Sequence, residues 1–199
     1  MILVVKNVSK KYQNKEGETI ALKNINFEVN KGEFVSIIGP SGCGKSTLLS
    51  IIAGLEEKNT GEIYIEEEKI DSISPNVGYM LQKDCLLEWR TIFSNALLGL
   101  EIKGKKNKEN IKYVEGLLQK YNLYDFKDKY PSELSGGMRQ RVALIRTLAT
   151  RPKILLLDEA FSALDYQTRI MVTNDIYSIL RKEGITALIV THDISEAIF

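Results

Sequence analysis

The stretch from Gly39 to Thr47 reads GPSGCGKST: a glycine, four free positions, then Gly-Lys-Ser. Glycines at 39, 42 and 44 let the main chain turn tightly and bring successive N–H groups to one anion without a side chain in between. The Lys45 ammonium can then reach the outer phosphates of a nucleotide, and the Ser46 hydroxyl offers a hard oxygen to Mg2+. Helix-forming residues from Leu48 to Ala53 end the loop at a helix N-terminus, whose partial positive charge favours phosphate. The four fixed positions recur by chance on the order of once in a hundred sequences of this size. The apolar run Phe34 to Ile38 in front, which reads as a buried strand, makes coincidence rarer still.

Further along, ILLLDE (Ile154 to Glu159) is a strand buried on both faces that ends in two carboxylates. Asp158 there suits the Mg2+ shell, and Glu159, one residue on, could orient or deprotonate a water. Gln82 follows the apolar run Val77 to Leu81, so its amide is presented at a strand end, where α/β sheets bind ligands. His192, the only histidine, lies just past the run Ile185 to Val190 and is a candidate polar contact to a terminal phosphate. PSELSGGMRQR (Pro131 to Arg141) supplies a second anion cradle. Ser135 is a plausible N-cap, Gly136 and Gly137 leave their N–H groups bare, and Met138 to Ala149 continues as a helix with basic residues along one side. A single nucleotide needs only one such cradle, so the duplication calls for an explanation; a glycine-rich helix cap without a ligand is the alternative.

Strands are expected at Ile2 to Val8, Asn24 to Asn30, Glu62 to Ile65 and Val77 to Leu81, with Asn30-Lys31-Gly32-Glu33 a turn feeding the phosphate loop. Tyr12 then falls between the first two strands, where its ring could stack on a purine or cover the sheet edge. Glu66 to Glu68 reads as a solvated surface, Lys103 to Asn110 as a polar connector, and Ile111 to Tyr121 as a helix. Ser162 to Asp165 turns the chain into a helix through Lys182. Trp89, the only tryptophan, is either a core anchor or part of a partner surface.

The chain has 199 residues, 44% of them hydrophobic, and a formal charge of +1. That suits one α/β domain and gives no overall field to recruit nucleic acid or anionic lipid. The apolar runs are far short of a membrane span, the start alternates like a strand rather than a signal peptide, and a cytosolic product is expected. Cys43 and Cys85 lack companions at metal-site spacing and are expected as thiols, Cys43 as small filler in the loop.

Together, GPSGCGKST, Gln82, LSGGMRQR, ILLLDEA, SALD and the Thr191-His192-Asp193 triplet resemble the ATP-binding cassette (ABC) ATPases in order and approximate spacing, over nearly the whole chain. LSGG is the diagnostic part. The resemblance implies a P-loop NTPase fold with a mostly parallel core sheet, an N-terminal antiparallel β subdomain and a helical signature subdomain near 83–150. It implies ATP and Mg2+ as ligands, with Tyr12 stacking on the base. Gly39, Pro40, Ser41, Gly42, Cys43, Gly44, Lys45, Ser46 and Thr47 would form the phosphate loop. Ser46, Gln82 and Asp158 would serve the metal, while Glu159, His192, Lys45 and Gln82 would serve catalysis. It also accounts for the second cradle, because such cassettes pair head to tail and Ser135, Gly136 and Gly137 of one subunit cap the ATP held by the other.

LLxWRT after Gln82, YPSELSGGMRQRVALIRTLA and ALDYQTR resemble the nitrate, sulfonate and taurine importer group, implying a subunit under a membrane permease, indirectly served by a solute-binding protein, with Trp89 near the permease. Glu88 and Ala160 stand where that group often has proline. The stop at Phe199 falls inside an expected helix, as if the chain were shortened. The competing readings are a soluble non-transport ABC ATPase and a nucleotide-binding subunit of low activity.

Overall fold

The computed structural model describes residues 1–14, 17–162 and 164–193. Ala163, within the expected turn at 162–165, and 194–199, where the terminal helix is expected, lie outside them. The elements in chain order are β1 (Leu3–Asn14), β2 (Gly17–Val29), β3 (Phe34–Ile38), α1 (Lys45–Ile52), β4 (Thr60–Ile65), β5 (Glu68–Lys69) and β6 (Val77–Met80). Then follow α2 (Ile92–Ile102), α3 (Lys108–Lys120), α4 (Gly136–Leu148), β7 (Ile154–Asp158), α5 (Tyr166–Glu183) and β8 (Thr186–Thr191). The chain divides into two compact units, one of residues 1–79, 153–158 and 180 onward, the other of 80–152 and 159–179.

In the first unit, an antiparallel sheet of order β2-β1-β4-β5 and a second sheet of order β3-β8-β7-β6 share a core. β8 runs parallel to both β3 and β7. Every residue of β7 and β8 is buried, which is why these strands read as unbroken apolar runs rather than as alternation. Leu48, Leu49, Ile51 and Ile52 of α1 join Ile154, Leu156, Leu188 and Val190 in that core. Each such side chain contributes about 1.5–3 kcal/mol on burial. The turn before β3 closes as expected, with Glu33 N–H donating to the Asn30 carbonyl at 3.1 Å and Asn30 N–H donating to the Glu33 carboxylate at 2.7 Å.

The first hairpin is longer than its hydrophobic pattern indicates. Lys10, Lys11 and Tyr12 are not a connector: they lie in β1, opposite Leu22, Ile20 and Thr19 of β2. Both faces of this extension are largely polar, so period-two alternation is absent, and pairing is supported instead by backbone ladders and by Lys11 with Glu18 at 2.7 Å. Asn7 and Asn24 adopt positive φ where the register shifts, a conformation asparagine tolerates. The acidic run Glu66 to Glu68 is exposed, as expected, and Glu66 pairs with Lys153.

The second unit is helical. Thr91, Asn107 and Ser135 cap α2, α3 and α4 by accepting from the N–H three residues on. Asp165 does the same for α5, accepting from Thr168 N–H at 3.1 Å. Leu97 and Leu100 of α2, Val114, Leu117 and Leu118 of α3, and Val142, Leu144, Ile145 and Leu148 of α4 are buried, which sets the apolar face of each helix.

Candidate nucleotide site

The parallel sheet brings three strand ends side by side. In register, Ile38 pairs with Thr191, and Val190 with Asp158, so β3, β8 and β7 finish at one edge. The loop Gly39–Gly44 leaves β3 at that edge, His192 follows β8, and Asp158 closes β7. This is the carboxyl end of the strands, where open α/β sheets take their ligands.

Gly44 sits at φ 92 as the N-cap of α1 and provides no side-chain cap to the helix. A Cβ at Gly44 would come within 2.4 Å of the Ala21 carbonyl oxygen, so only glycine fits. The Lys45 ammonium lies across the loop, donating to the carbonyls of Gly39 at 2.8 Å and Pro40 at 2.9 Å. Cys43 is an exposed free thiol with its sulfur 3.9 Å from that ammonium. Ser46 Oγ donates to Asp158 Oδ1 at 2.8 Å. A hydroxyl and a carboxylate held this close are two hard oxygen donors of the type Mg2+ takes alongside substrate phosphate, so the residues fit the cation.

Tyr79 completes the arrangement and was not singled out by sequence. Its hydroxyl donates to Asp158 Oδ2 at 3.0 Å, so both carboxylate oxygens are engaged. Burial pushes the Tyr79 hydroxyl up to about 12, with a hydrogen bond from Ser50 opposing and the Asp158 charge adding to it. The phenol therefore stays a neutral donor. The Lys10 ammonium lies 5.0 Å from the centroid of the Tyr12 ring. Burial and Glu56 raise the Tyr12 hydroxyl above its ordinary range.

The comparisons with known proteins address the same constellation. Residues 22–162 match the family model described as ABC transporter. The chain is 50% identical over 196 residues to the uncharacterized ABC transporter ATP-binding protein YtlC of Bacillus subtilis (strain 168), spanning 98% of this chain and 75% of that protein. The chain belongs to the ABC transporter ATP-binding family. It is 43% identical over 199 residues to the aliphatic sulfonates import ATP-binding protein SsuB of Bacillus cereus (strain ZK / E33L), covering all of this chain and 78% of the relative. A solved dimer of the ATP-binding cassette MJ0796, in a post-hydrolysis state bound to ADP and Pi, superimposes with a TM-score of 0.82 at 36% identity, covering 98% of this chain and 90% of that one. The protein is thus an ABC ATPase that binds ATP, and the P-loop NTPase fold expected from its motifs is the fold it has.

The helical unit of this ABC ATPase holds the remaining motif residues. Ser135 Oγ accepts from Met138 N–H at 3.4 Å at the start of α4. A Cβ at Gly137 would meet Val172 at 2.7 Å, and one at Gly136 would meet Leu164 at 3.0 Å, so a side chain at either position would press on its neighbour. Ser135, Gly136, Gly137, Leu164, Asp165 and Thr168 line an open cleft of about 570 Å³. Gln82 donates to Ser162 Oγ at 2.9 Å, and that hydroxyl donates to the Glu159 carbonyl at 2.9 Å. Glu159 itself has φ 45, a backbone setting costly for a glutamate.

Of the two settings the sequence allowed for Trp89, the core anchor is excluded, since the residue is 75% exposed. One sequence reading is corrected: the basic residues of α4 do not lie along one side, because Arg139 and Arg146 turn to the Asp84–Glu88 segment while Arg141 reaches Asp175 of α5. Helix phase sends neighbouring arginines to different acidic partners, which composition does not reveal.

Proposed function

We propose that this protein is the ATP-hydrolysing subunit of an importer, seated on the cytoplasmic face of a membrane permease and working as a head-to-tail pair. The observation that carries the reading is the meeting of the glycine loop, Ser46, Asp158 and His192 at one edge of the parallel sheet. Lys45 and the loop N–H groups bind the β- and γ-phosphates, and Tyr12 stacks on the base. Ser46 and Asp158 would hold Mg2+, which would supply neutralising charge to the phosphates when bound. Glu159 orients a water and receives its proton as the oxygen attacks the γ-phosphorus and the bond to the β-phosphate breaks, giving ADP and phosphate. His192 and the partner subunit's α4 N-terminus stabilise the charge that develops on the γ-phosphate.

The cleft at Ser135–Gly137 supports the second half of this scheme, because it opens the α4 N-terminus to a ligand while Arg141, the cation in its lining, is paired with Asp175. Since SsuB is named for aliphatic sulfonate import, the transported solute proposed here is a sulfonate, nitrate, taurine or a related small solute, presented by a solute-binding protein. Among the described residues no helix is long and apolar enough to cross a membrane, so passage of the solute is assigned to the permease. Exposed Trp89 is the residue proposed to touch it.

Glu159→Gln tests the reading. The variant should bind ATP, migrate as a dimer on gel filtration with ATP and Mg2+, and hydrolyse about 10²–10⁴-fold more slowly. Wild-type turnover in this variant rejects the assignment.

A further inference from the structure

Residues 81–91, between β6 and α2, have no helix or strand of their own, yet the segment is wired at both ends. Its front half belongs to α4. Arg139 donates through Nε to Asp84 Oδ2 at 2.8 Å, and through Nη2 to Asp84 Oδ1 at 3.1 Å and Glu88 Oε1 at 2.7 Å. Arg146, two turns further along the same helix, donates to the carbonyls of Cys85 at 2.7 Å and Asp84 at 2.6 Å. A bidentate fork on a carboxylate fixes orientation as well as distance.

The back half belongs to α2. Asn95 is fully buried, and its amide donates to the carbonyls of Leu87, Arg90 and Thr91 while its oxygen accepts from Leu87 N–H at 2.8 Å. Arg90 adds a 2.6 Å contact to Glu101 of α2. Between these two grips the turn at Glu88–Trp89 lifts the tryptophan into solvent. An aromatic side chain on a loop held this firmly is presented for contact at low entropic cost.

Arg139 lies four residues beyond Ser135 on α4, about 6 Å along the axis. We propose that Arg139 is a positioning residue, helped by Arg146, that makes the Asp84–Glu88 segment move with α4, so that phosphate captured at the Ser135 end of the helix changes the setting of Trp89. The partner surface is thereby coupled to nucleotide through ion pairs rather than through regular structure. This rests on the reading above that the α4 N-terminus receives the γ-phosphate of ATP held by a second copy.

The single tryptophan makes the coupling directly readable. In the Glu159→Gln protein, adding ATP and Mg2+ should form the dimer and shift Trp89 emission and its acrylamide quenching. Asp84→Ala in that background should retain dimer formation but lose the shift, and Asp84→Glu should restore it. A merely structural role would lower stability without separating the fluorescence change from dimerisation. If Asp84→Ala does not fold, Glu88→Gln, which removes only the outer arm of the fork, should reduce the shift. An undiminished shift in these variants, or no shift in a parent that dimerises, overturns the proposal. A parent that binds ATP but does not dimerise overturns the head-to-tail reading beneath it.

Discussion

The chain builds two helix N-termini suited to phosphate, and they are built differently. α1 begins at Gly44 in a left-handed conformation with no side-chain cap, followed at once by Lys45 and by Ser46 bonded to Asp158. α4 begins at Ser135, whose hydroxyl caps the Met138 N–H; Arg139 of its first turn is committed to Asp84 and Glu88, and Arg141, which lines the cleft with Asp165, is committed to Asp175. The first end has a cation of its own, a hard-oxygen pair for a metal and an aromatic ring close by; the second has a dipole, a hydroxyl, glycine N–H groups and arginines already paired with carboxylates. Charge decides what each can do alone. A helix dipole contributes about 0.3–1 kcal/mol toward an anion at an exposed end, too little to hold a polyphosphate by itself, whereas a buried ammonium with a metal pair can. The α4 end is therefore fitted to complete a site whose affinity is supplied elsewhere.

Removing the charge from the stronger end should have the largest effect. Lys45 is buried and spans the loop carbonyls of Gly39 and Pro40, so Lys45→Ala deletes the phosphate contact and loosens the loop. Hydrolysis should fall about 10²–10³-fold, as for other lost transition-state donors, and ATP affinity should drop with it, measured by titration calorimetry. Retained affinity would mean that the N–H groups of the loop suffice, and the contrast between the two ends would vanish.

Damage at the weaker end should separate binding from turnover. Ser135→Arg places a long side chain in the cleft lined by Leu164, Asp165 and Thr168. A single chain should bind ATP as before, while turnover falls by roughly 10²-fold, the loss typical of one stabilising donor. Equal losses of ATP affinity and turnover would place the α4 end in the primary site, and wild-type turnover would remove it from the reaction.

Both ends were legible in the sequence because their chemistry is compressed into contiguous residues. GPSGCGKST and LSGG each carry turn, donor and helix start within one short run, and ILLLDE carries a buried strand and its terminal acids. Other features of the sites were not legible, for reasons that are spatial. Tyr79 serves Asp158 across 79 residues, and only the neighbour relation of β6 and β7 shows that it can. Arg139 meets Asp84 across 55 residues, and helix phase alone separates its partners from those of Arg141. Asn95 looks like an ordinary polar residue of an amphipathic helix until its burial shows that it serves the preceding loop. The length of the first hairpin was hidden for the opposite reason: its distal part is polar on both faces and leaves no periodic trace.

The smallest effect expected is at Tyr79, and it tests how much of the stronger end lies in its support. Tyr79→Phe keeps the ring in β6 but removes the donor to Asp158 Oδ2, leaving Ser46 as the side chain bonded to that carboxylate through Oδ1. A hydrogen bond to a charged group contributes about 1.5–3 kcal/mol, and water at this strand end can replace part of it, so the midpoint of urea unfolding should fall modestly. The more informative readout is the Mg2+ concentration for half-maximal ATPase activity. A carboxylate held at one oxygen is less well oriented toward a cation, so that concentration should rise while the maximal rate at saturating Mg2+ stays near wild type. A reduced maximal rate with unchanged Mg2+ dependence would instead place Tyr79 in direct service of the reacting phosphate and not in the support of Asp158.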